Sequence, residues 1–501
     1  MEDFIARVVN VSDLIWGGTW NGEEVLALPP MVIILLGTGL YIMAGLRFYP
    51  IRKFGAALGS LFGKDRRGGG SGEISPFAAL STALSGQVGT GNLAGVATAI
   101  SLGGPGAIFW MWITALIGMA LSFAEGALAI RYRDKSPDGN WRGGPMTYIA
   151  KGLGPKWRWL SVLFCLGTLF SALVTGNGIQ ANSVADSINE LTGLEDWIGG
   201  LIVATLVLVV ILGGIKSIGA SAERIVPVMA ATYLLMALVA IVLDIDQIPQ
   251  TFGRIFDGAF NPQAASGGFL GAAVLIAIRA GVARGLFSNE AGQGSTPMAH
   301  AVAQTDNPEL QGRFAMLGTF IDTVVICTMT ALVLLTVEGQ FVHTLPDGTT
   351  EMVAHAWQSD LQGFAMTSGA FATAFPFPVF GVALGTLVAS VALILFVFTT
   401  LLTWSYYGER AVSELYELVP GASARGEARL HLTWRLLWCV AIFVGSFLDL
   451  TLVWRLGDIS NAAMALPNLV ALLALSGVVF ALARGERGAG REFPLPGRRI
   501  S

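Results

Sequence analysis

The chain has 501 residues, of which 53% are hydrophobic and 13% charged, with a formal net charge of −4. Thirty basic and 34 acidic residues are too few to clothe a soluble protein of this size, where about a quarter of all residues carry charge. Together with a mean hydropathy of +0.65, this excludes an ordinary soluble enzyme, a disordered chain and a nucleic-acid binder. The chain reads as a polytopic, all-α integral membrane protein whose first partner is the lipid bilayer.

The N-terminal segment, residues 1–24, is acidic and lacks the basic start of a signal peptide. Phe4, Val8, Val11 and Ile15 recur at helical spacing, which predicts an amphipathic helix lying on the outer membrane surface. A spanning helix needs about 20 mostly apolar residues, and eleven such runs follow. They cover residues 25–46, 77–102, 107–130, 160–188, 197–212, 225–243, 269–302, 314–337, 379–407, 432–448 and 456–483. A second amphipathic segment is expected in the loop 353–374. Cys165, Cys327 and Cys439 lie far apart inside apolar runs, so they read as packing residues rather than a disulfide or zinc site.

Alternate loops orient this chain, because cytoplasmic loops carry excess Lys and Arg. Twenty-four of the 30 basic residues fall on the side of the loop after the first span, and only Arg7, Arg254 and Arg455 on the other. The N-terminus is therefore expected outside, and the C-terminal tail, residues 484–501, inside.

Two spans are not simple apolar helices. The second holds Ser85-Gly86-Gln87-Val88-Gly89-Thr90-Gly91-Asn92-Leu93-Ala94-Gly95, and the seventh holds Arg284-Gly285-Leu286-Phe287-Ser288-Asn289-Glu290-Ala291-Gly292-Gln293-Gly294. Each glycine costs about 1 kcal/mol in a helix relative to alanine, so these clusters favour breaks. Freed backbone cannot face lipid and must line a cavity or pack on protein. Spans 2–6 and 7–11 form two sets of five, each beginning with a broken helix. Because five is odd, the second set is inverted. Residues 75–243 and 269–483 are thus expected as inverted repeats, with the span 25–46 as an addition. Interrupted helices at equivalent places mark a transporter's binding site. Half-helix N-termini suit a carboxylate, and freed carbonyls suit Na⁺ or an ammonium, which together describe an amino acid and a small cation. The rival reading is close helix packing through small residues, which the apolar Gly381…Gly385 pair fits better.

Gly103-Gly104-Pro105-Gly106-Ala107-Ile108-Phe109-Trp110-Met111-Trp112, running on to Ala124-Glu125-Gly126, resembles the signature of the sodium:alanine symporter family. The run Ala83–Ala99 and the run Gly285–Gly292 resemble that family's two broken helices, and the resemblance extends essentially end to end. It implies a LeuT-type fold of inverted five-helix repeats. It also implies Na⁺-coupled uptake of alanine or glycine across a bacterial-type plasma membrane, with no organic cofactor and no catalytic residues. On this resemblance the substrate would meet Gln87, Gly89, Thr90, Gly91 and Asn92 from the first broken helix. Gly285, Leu286, Phe287 and Ser288 would meet it from the second, and Gln180 from the fourth span. Na⁺ would sit among Val88, Asn92, Thr399 and Thr400. A channel lacks its continuous polar pore here, and an intramembrane enzyme lacks its motifs. H⁺ rather than Na⁺ coupling, another small solute, alanine versus glycine and the oligomeric state stay open.

Five charges fall inside the third, seventh and eighth spans. Glu125 is expected to snorkel or pair with a loop, and Arg284 and Glu290 to form gate or hinge contacts or to act as ligands. Asp322 either pairs with an arginine or completes a cation site, and Arg279 has no assigned role. Phe109, Trp110 and Trp112 read as packing.

Overall fold

The structure, a computed structural model, describes residues 2–26, 29–136, 139–260, 272–345, 347–448, 450–486 and 490. Among these, seven helices are long and apolar enough to cross a membrane: Gly106–Tyr132, Pro155–Thr192, Gly214–Leu243, Pro308–Thr336, Leu384–Tyr416, Ala424–Gly445 and Leu452–Ala474. Pro30–Gly45 and Asp196–Ile211 are shorter apolar helices. Strands occur only as four two-stranded hairpins among the described residues. The start of the seventh expected span and most of the expected tail lie outside the described residues.

The N-terminal helix Glu2–Gly17 forms as its periodicity predicts, but it lies on protein rather than on lipid alone. Its buried stripe is Val8, Ser12 and Trp16, whereas Phe4 is exposed. The Trp16 indole donates to the Asp458 carbonyl at 3.0 Å, and Arg455 pairs with Asp13 at 2.5 Å. The second expected amphipathic segment is the helix Gly363–Ala374, and it too turns inward. It buries Met366, Thr367, Ala370 and Phe371, and the Thr367 hydroxyl donates to the Leu93 carbonyl at 3.2 Å. Phe109 and Trp112 pack on Phe252, Phe256 and Phe260 of the helix Ile248–Phe260, as a packing stripe should.

The first interrupted span runs as a helix over Pro76–Gln87, opens at Val88 and Gly89, makes one wide π-type turn over Gly91–Gly95 and resumes over Val96–Gly103. The second departs from expectation in position. The helix Ala272–Asn289 is continuous through Gly285–Ser288, and the chain breaks only at Glu290–Ser295 before the short helix Thr296–His300. Glu290, Gly292 and Gly294 have φ of 56°, 83° and 88°, the left-handed backbone that ends a helix and that glycine adopts without penalty. Two more wide turns, Val174–Gly178 and Phe320–Cys327, interrupt neighbouring helices.

Candidate functional site

The two interrupted helices cross at their breaks. A Cβ on Gly91 would lie 2.9 Å from the Phe287 ring and 3.3 Å from the Ser288 Cα, so only glycine allows this approach. The Gln87 amide reaches across and donates to the Asn289 carbonyl at 2.5 Å.

Around the first break, freed backbone groups find side chains from the turn that follows and from two other helices. The Gly89 N–H donates to Asn92 Oδ1 at 2.9 Å. The Thr90 N–H and hydroxyl both donate to Gln180 Oε1, at 3.1 and 2.8 Å. The Thr400 hydroxyl donates to the Val88 carbonyl at 3.1 Å. Val88, Thr90, Gln180 and Thr400 thus converge at the first break. Thr399 does not join them: its hydroxyl donates to the Phe396 carbonyl at 3.0 Å and faces Met229. The hard oxygens of Val88 and Thr400 suit Na⁺.

Asn92 carries a second cluster. Its Nδ2 donates to Asp322 Oδ1 at 2.6 Å and to Ser288 Oγ at 3.1 Å, and the Ser288 and Thr323 hydroxyls both donate to Asp322 Oδ2 at 2.8 Å. No arginine pairs with Asp322 among the described residues, so of its two expected roles the arginine partnership falls away. This carboxylate is fully buried and sits on one of the wide turns, a feature common at functional sites.

Gly285, Leu286 and Phe287 do not face the first break's polar groups. They remain helical, because the break falls further along the chain. Gly285 packs on Thr114. Leu286 is buried in the main core. Phe287 contacts Trp454 at a ring distance of 4.9 Å. Of that quartet only Ser288 reaches the Asn92 cluster.

The second break has its own polar surroundings, which the sequence reading missed. Gln293 Nε2 donates to Asn461 Oδ1 at 2.9 Å, and Ser171 and Thr175 donate to the same oxygen at 2.9 and 3.0 Å. Asn468 donates to the Gly292 carbonyl at 2.9 Å and to Glu125 at 2.6 Å. Glu125 therefore neither snorkels nor pairs with a loop; it is fully buried. Glu290 accepts from the Trp404 indole at 2.9 Å and from the Ser295 hydroxyl, and makes no contact with Arg284. Asn461 and Asn468 stand two helical turns apart on one face, the signal that could have found them.

The ends of the bundle differ. On the end bearing the basic loops, the strand before the first interrupted helix is tied to the segment after the second. Gln304 N–H donates to the Ile74 carbonyl and Glu73 N–H to the Val302 carbonyl, both at 2.8 Å. Arg133 clamps this seam, donating to the carbonyls of Ala303, Ser71 and Thr305 at 2.7, 2.8 and 2.8 Å and pairing with Asp306 at 3.0 Å. At the opposite end a cavity of about 440 Å³ opens between Ala94, Thr98, Asp186, Glu190, Phe364 and Trp454. Its floor is the Arg284–Asp458 ion pair at 3.0 Å, with the guanidinium 4.9 Å above the Trp454 ring.

Residues 18–486 match the sodium:alanine symporter family. The sodium/alanine symporter AgcS of Methanococcus maripaludis is 42% identical over 95% of this chain and 96% of its own length. The probable sodium/glutamine symporter GlnT of Bacillus subtilis is 35% identical over 96% of this chain and 90% of its own. The fold is similar to that of the LeuT-type transporter MhsT, solved with L-phenylalanine, with a TM-score of 0.51 at 13% identity over 83% of this chain and 90% of that one. These relatives are transporters, not enzymes, and the long apolar helices make this chain a multi-pass membrane protein. With the matched region covering nearly its whole length, the chain belongs to the sodium:alanine symporter family.

Proposed function

We propose that this chain is a secondary active symporter of the plasma membrane that couples inward Na⁺ movement to uptake of alanine or glycine. On this reading eleven helices cross the bilayer, the N-terminus is outside and the basic end is cytoplasmic. The observation that carries it is the convergence of Val88, Thr90, Gln180 and Thr400 on a two-residue opening in a buried helix.

Na⁺ takes the Val88 carbonyl and the Thr400 hydroxyl, with Asn92 adjacent and Thr399 turned away. The substrate takes the groups that now satisfy one another across the break. Its carboxylate accepts from the Gly89 and Thr90 N–H groups in place of Asn92 and Gln180. Its ammonium meets Asp322, Asn92 and Ser288, where the one formal charge of the cluster balances it. Gly89, Gly91 and Gln87 keep the space small: a Cβ on Gly89 would stand 2.6 Å from the Thr400 hydroxyl. That crowding suits the smallest amino acids.

Alternating access follows from the asymmetry of the two ends. The cavity above Arg284–Asp458 is the outer path, while the seam held by Arg133 closes the inner one. Release of the seam and closure of the floor exchange these roles. One Na⁺ moving down 100 mV yields about 2.3 kcal/mol, and a tenfold gradient adds about 1.4. The sum supports roughly 500-fold accumulation of a neutral substrate at one-to-one stoichiometry. The test is [¹⁴C]alanine uptake into proteoliposomes with and without an inward Na⁺ gradient. Uptake above equilibration only with the gradient is expected, and equal flux in both would refute the coupling.

A further inference from the structure

Glu125 is a buried acid that the symport reading leaves unused. It stands in the second half of the helix Gly106–Tyr132 with 0% of its surface exposed. Oε1 accepts from Asn468 Nδ2 at 2.6 Å, the Gly292 and Gly294 N–H groups of the second break face the carboxyl, and Oε2 has no partner at full hydrogen-bond geometry. The same Asn468 amide holds the Gly292 carbonyl at the second break, and the Tyr148 hydroxyl donates to Asn468 Oδ1. Glu125 is therefore linked through one side chain to the segment on which the inner half of the second interrupted helix turns.

The ionisable groups that face it offer no positive charge. They are Glu290 of the second break, Tyr148 of the short helix Pro145–Tyr148 and Tyr407 of the helix Leu384–Tyr416. Other charged groups on the elements packed around its helix are engaged elsewhere. Arg284 pairs with Asp458, and Arg313 with Glu309. Arg254 donates to the Leu335 carbonyl, and Asp322 is held by Asn92, Ser288 and Thr323. His300 is bonded to Gln311 at 2.6 Å. Arg279 lies ten residues before Asn289 on its helix, about 15 Å back along the axis. No Lys, Arg or His stands within ion-pair distance of Glu125 among the described residues. An ionised carboxylate in such a place is strongly disfavoured, whereas a protonated one is neutral.

We propose that Glu125 is a proton-binding site of the transport cycle, distinct from the cation site at the first break. The carboxyl keeps its proton while the second break is packed around it. With the outer end open, a proton carried by water from that side forms the O–H bond at Oε2; when the inner end opens, water reaches Oε2, that bond breaks and the proton passes to the cytoplasmic side. This inference rests on the alternating-access reading but not on Na⁺ being the driving ion.

The test uses the full-length protein in proteoliposomes under a fixed Na⁺ gradient, with lumenal pH varied. Acidifying the lumen opposes release of one proton, so wild-type [¹⁴C]alanine uptake should fall by up to about tenfold per pH unit. Glu125→Gln mimics the protonated carboxyl and keeps an acceptor for Asn468. It should retain alanine exchange yet lose the pH dependence, and Glu125→Asp should keep that dependence. A merely structural role would lower activity without flattening the profile. The wild-type protein gives an independent reading, because alanine uptake should acidify the lumen as reported by trapped pyranine. A flat wild-type profile, absent acidification or an unchanged profile in Glu125→Gln would overturn the proposal. Uptake with and without Na⁺ at equal pH separates its failure from failure of the symport reading.

Discussion

The two breaks occupy corresponding places in the proposed repeats but are built differently. The first is short: Val88 and Gly89 open, a wide turn follows, and the Val88 carbonyl and the Gly89 and Thr90 N–H groups are met by the side chains of Thr400, Asn92 and Gln180. The second is six residues long, uses three left-handed residues and is held by Asn461, Asn468, Trp404 and Glu125 from three helices. The difference suggests a division of labour. Groups that satisfy one another across a short gap can be replaced by a ligand, whereas a long looped segment anchored on many sides suits a hinge. Substitutions at the first break should therefore change what binds, and substitutions at the second how readily the protein moves.

The largest effect is expected at Asn92, which ties the first break to Asp322 and Ser288. Asn92→Ala removes the donor to Asp322 and the acceptor of the Gly89 N–H, leaving buried polar groups unpaired at about 1–3 kcal/mol each. Initial rates of alanine uptake should fall by more than about 100-fold while the purified protein stays monodisperse.

Next comes Thr400→Val, which keeps shape and removes one hydroxyl. Its half-activating Na⁺ concentration should rise about tenfold, equivalent to about 1.4 kcal/mol, with alanine half-saturation at saturating Na⁺ little changed. Gln180→Ala should do the reverse, weakening alanine by about five- to tenfold and leaving Na⁺ activation alone. If both variants shift both ligands equally, the first break is not divided as described.

Gly292→Ala probes the other region. At φ 83° an alanine is strained by about 1–2 kcal/mol, and its Cβ would crowd Leu121, Leu469 and Leu35. The melting temperature should drop and the maximal rate fall a few-fold, with both half-saturation values retained. A large change in alanine affinity would erase the distinction between the regions.

How far the sequence anticipated these regions follows from their physics. Clustered glycines with polar neighbours disclosed both interruptions, because helix propensity is a local property. The helix opens at Val88 and Gly89 inside the first cluster, Ser85–Gly95, and at Glu290–Ser295 across the far end of the second, Arg284–Gly294, so the substrate contacts expected at Gly285–Phe287 fall on continuous helix. Gly285 serves packing against Thr114, and nothing local distinguishes it from the left-handed Gly292 and Gly294. The contacts of Gln180 and Thr400 came only through family resemblance, because residues 90 and 312 positions distant meet by tertiary folding. The roles of Glu125, Gln293 and Asn461 were hidden for the same reason. So was the docking of the N-terminal helix: its apolar spacing was visible, but not that Ser12 and Trp16 would find Asp458.

The central claim is that cation and amino acid share the first break, and linked binding tests it most directly. Equilibrium binding of [¹⁴C]alanine to the purified protein should be measured across a Na⁺ titration in the wild type and in Thr400→Val. Na⁺ should tighten alanine binding at least about fivefold in the wild type, the usual scale of coupling between sites, and that gain should vanish or move to much higher Na⁺ in the variant. Alanine affinity independent of Na⁺ in the wild type, or the same Na⁺ dependence in both proteins, would contradict the account.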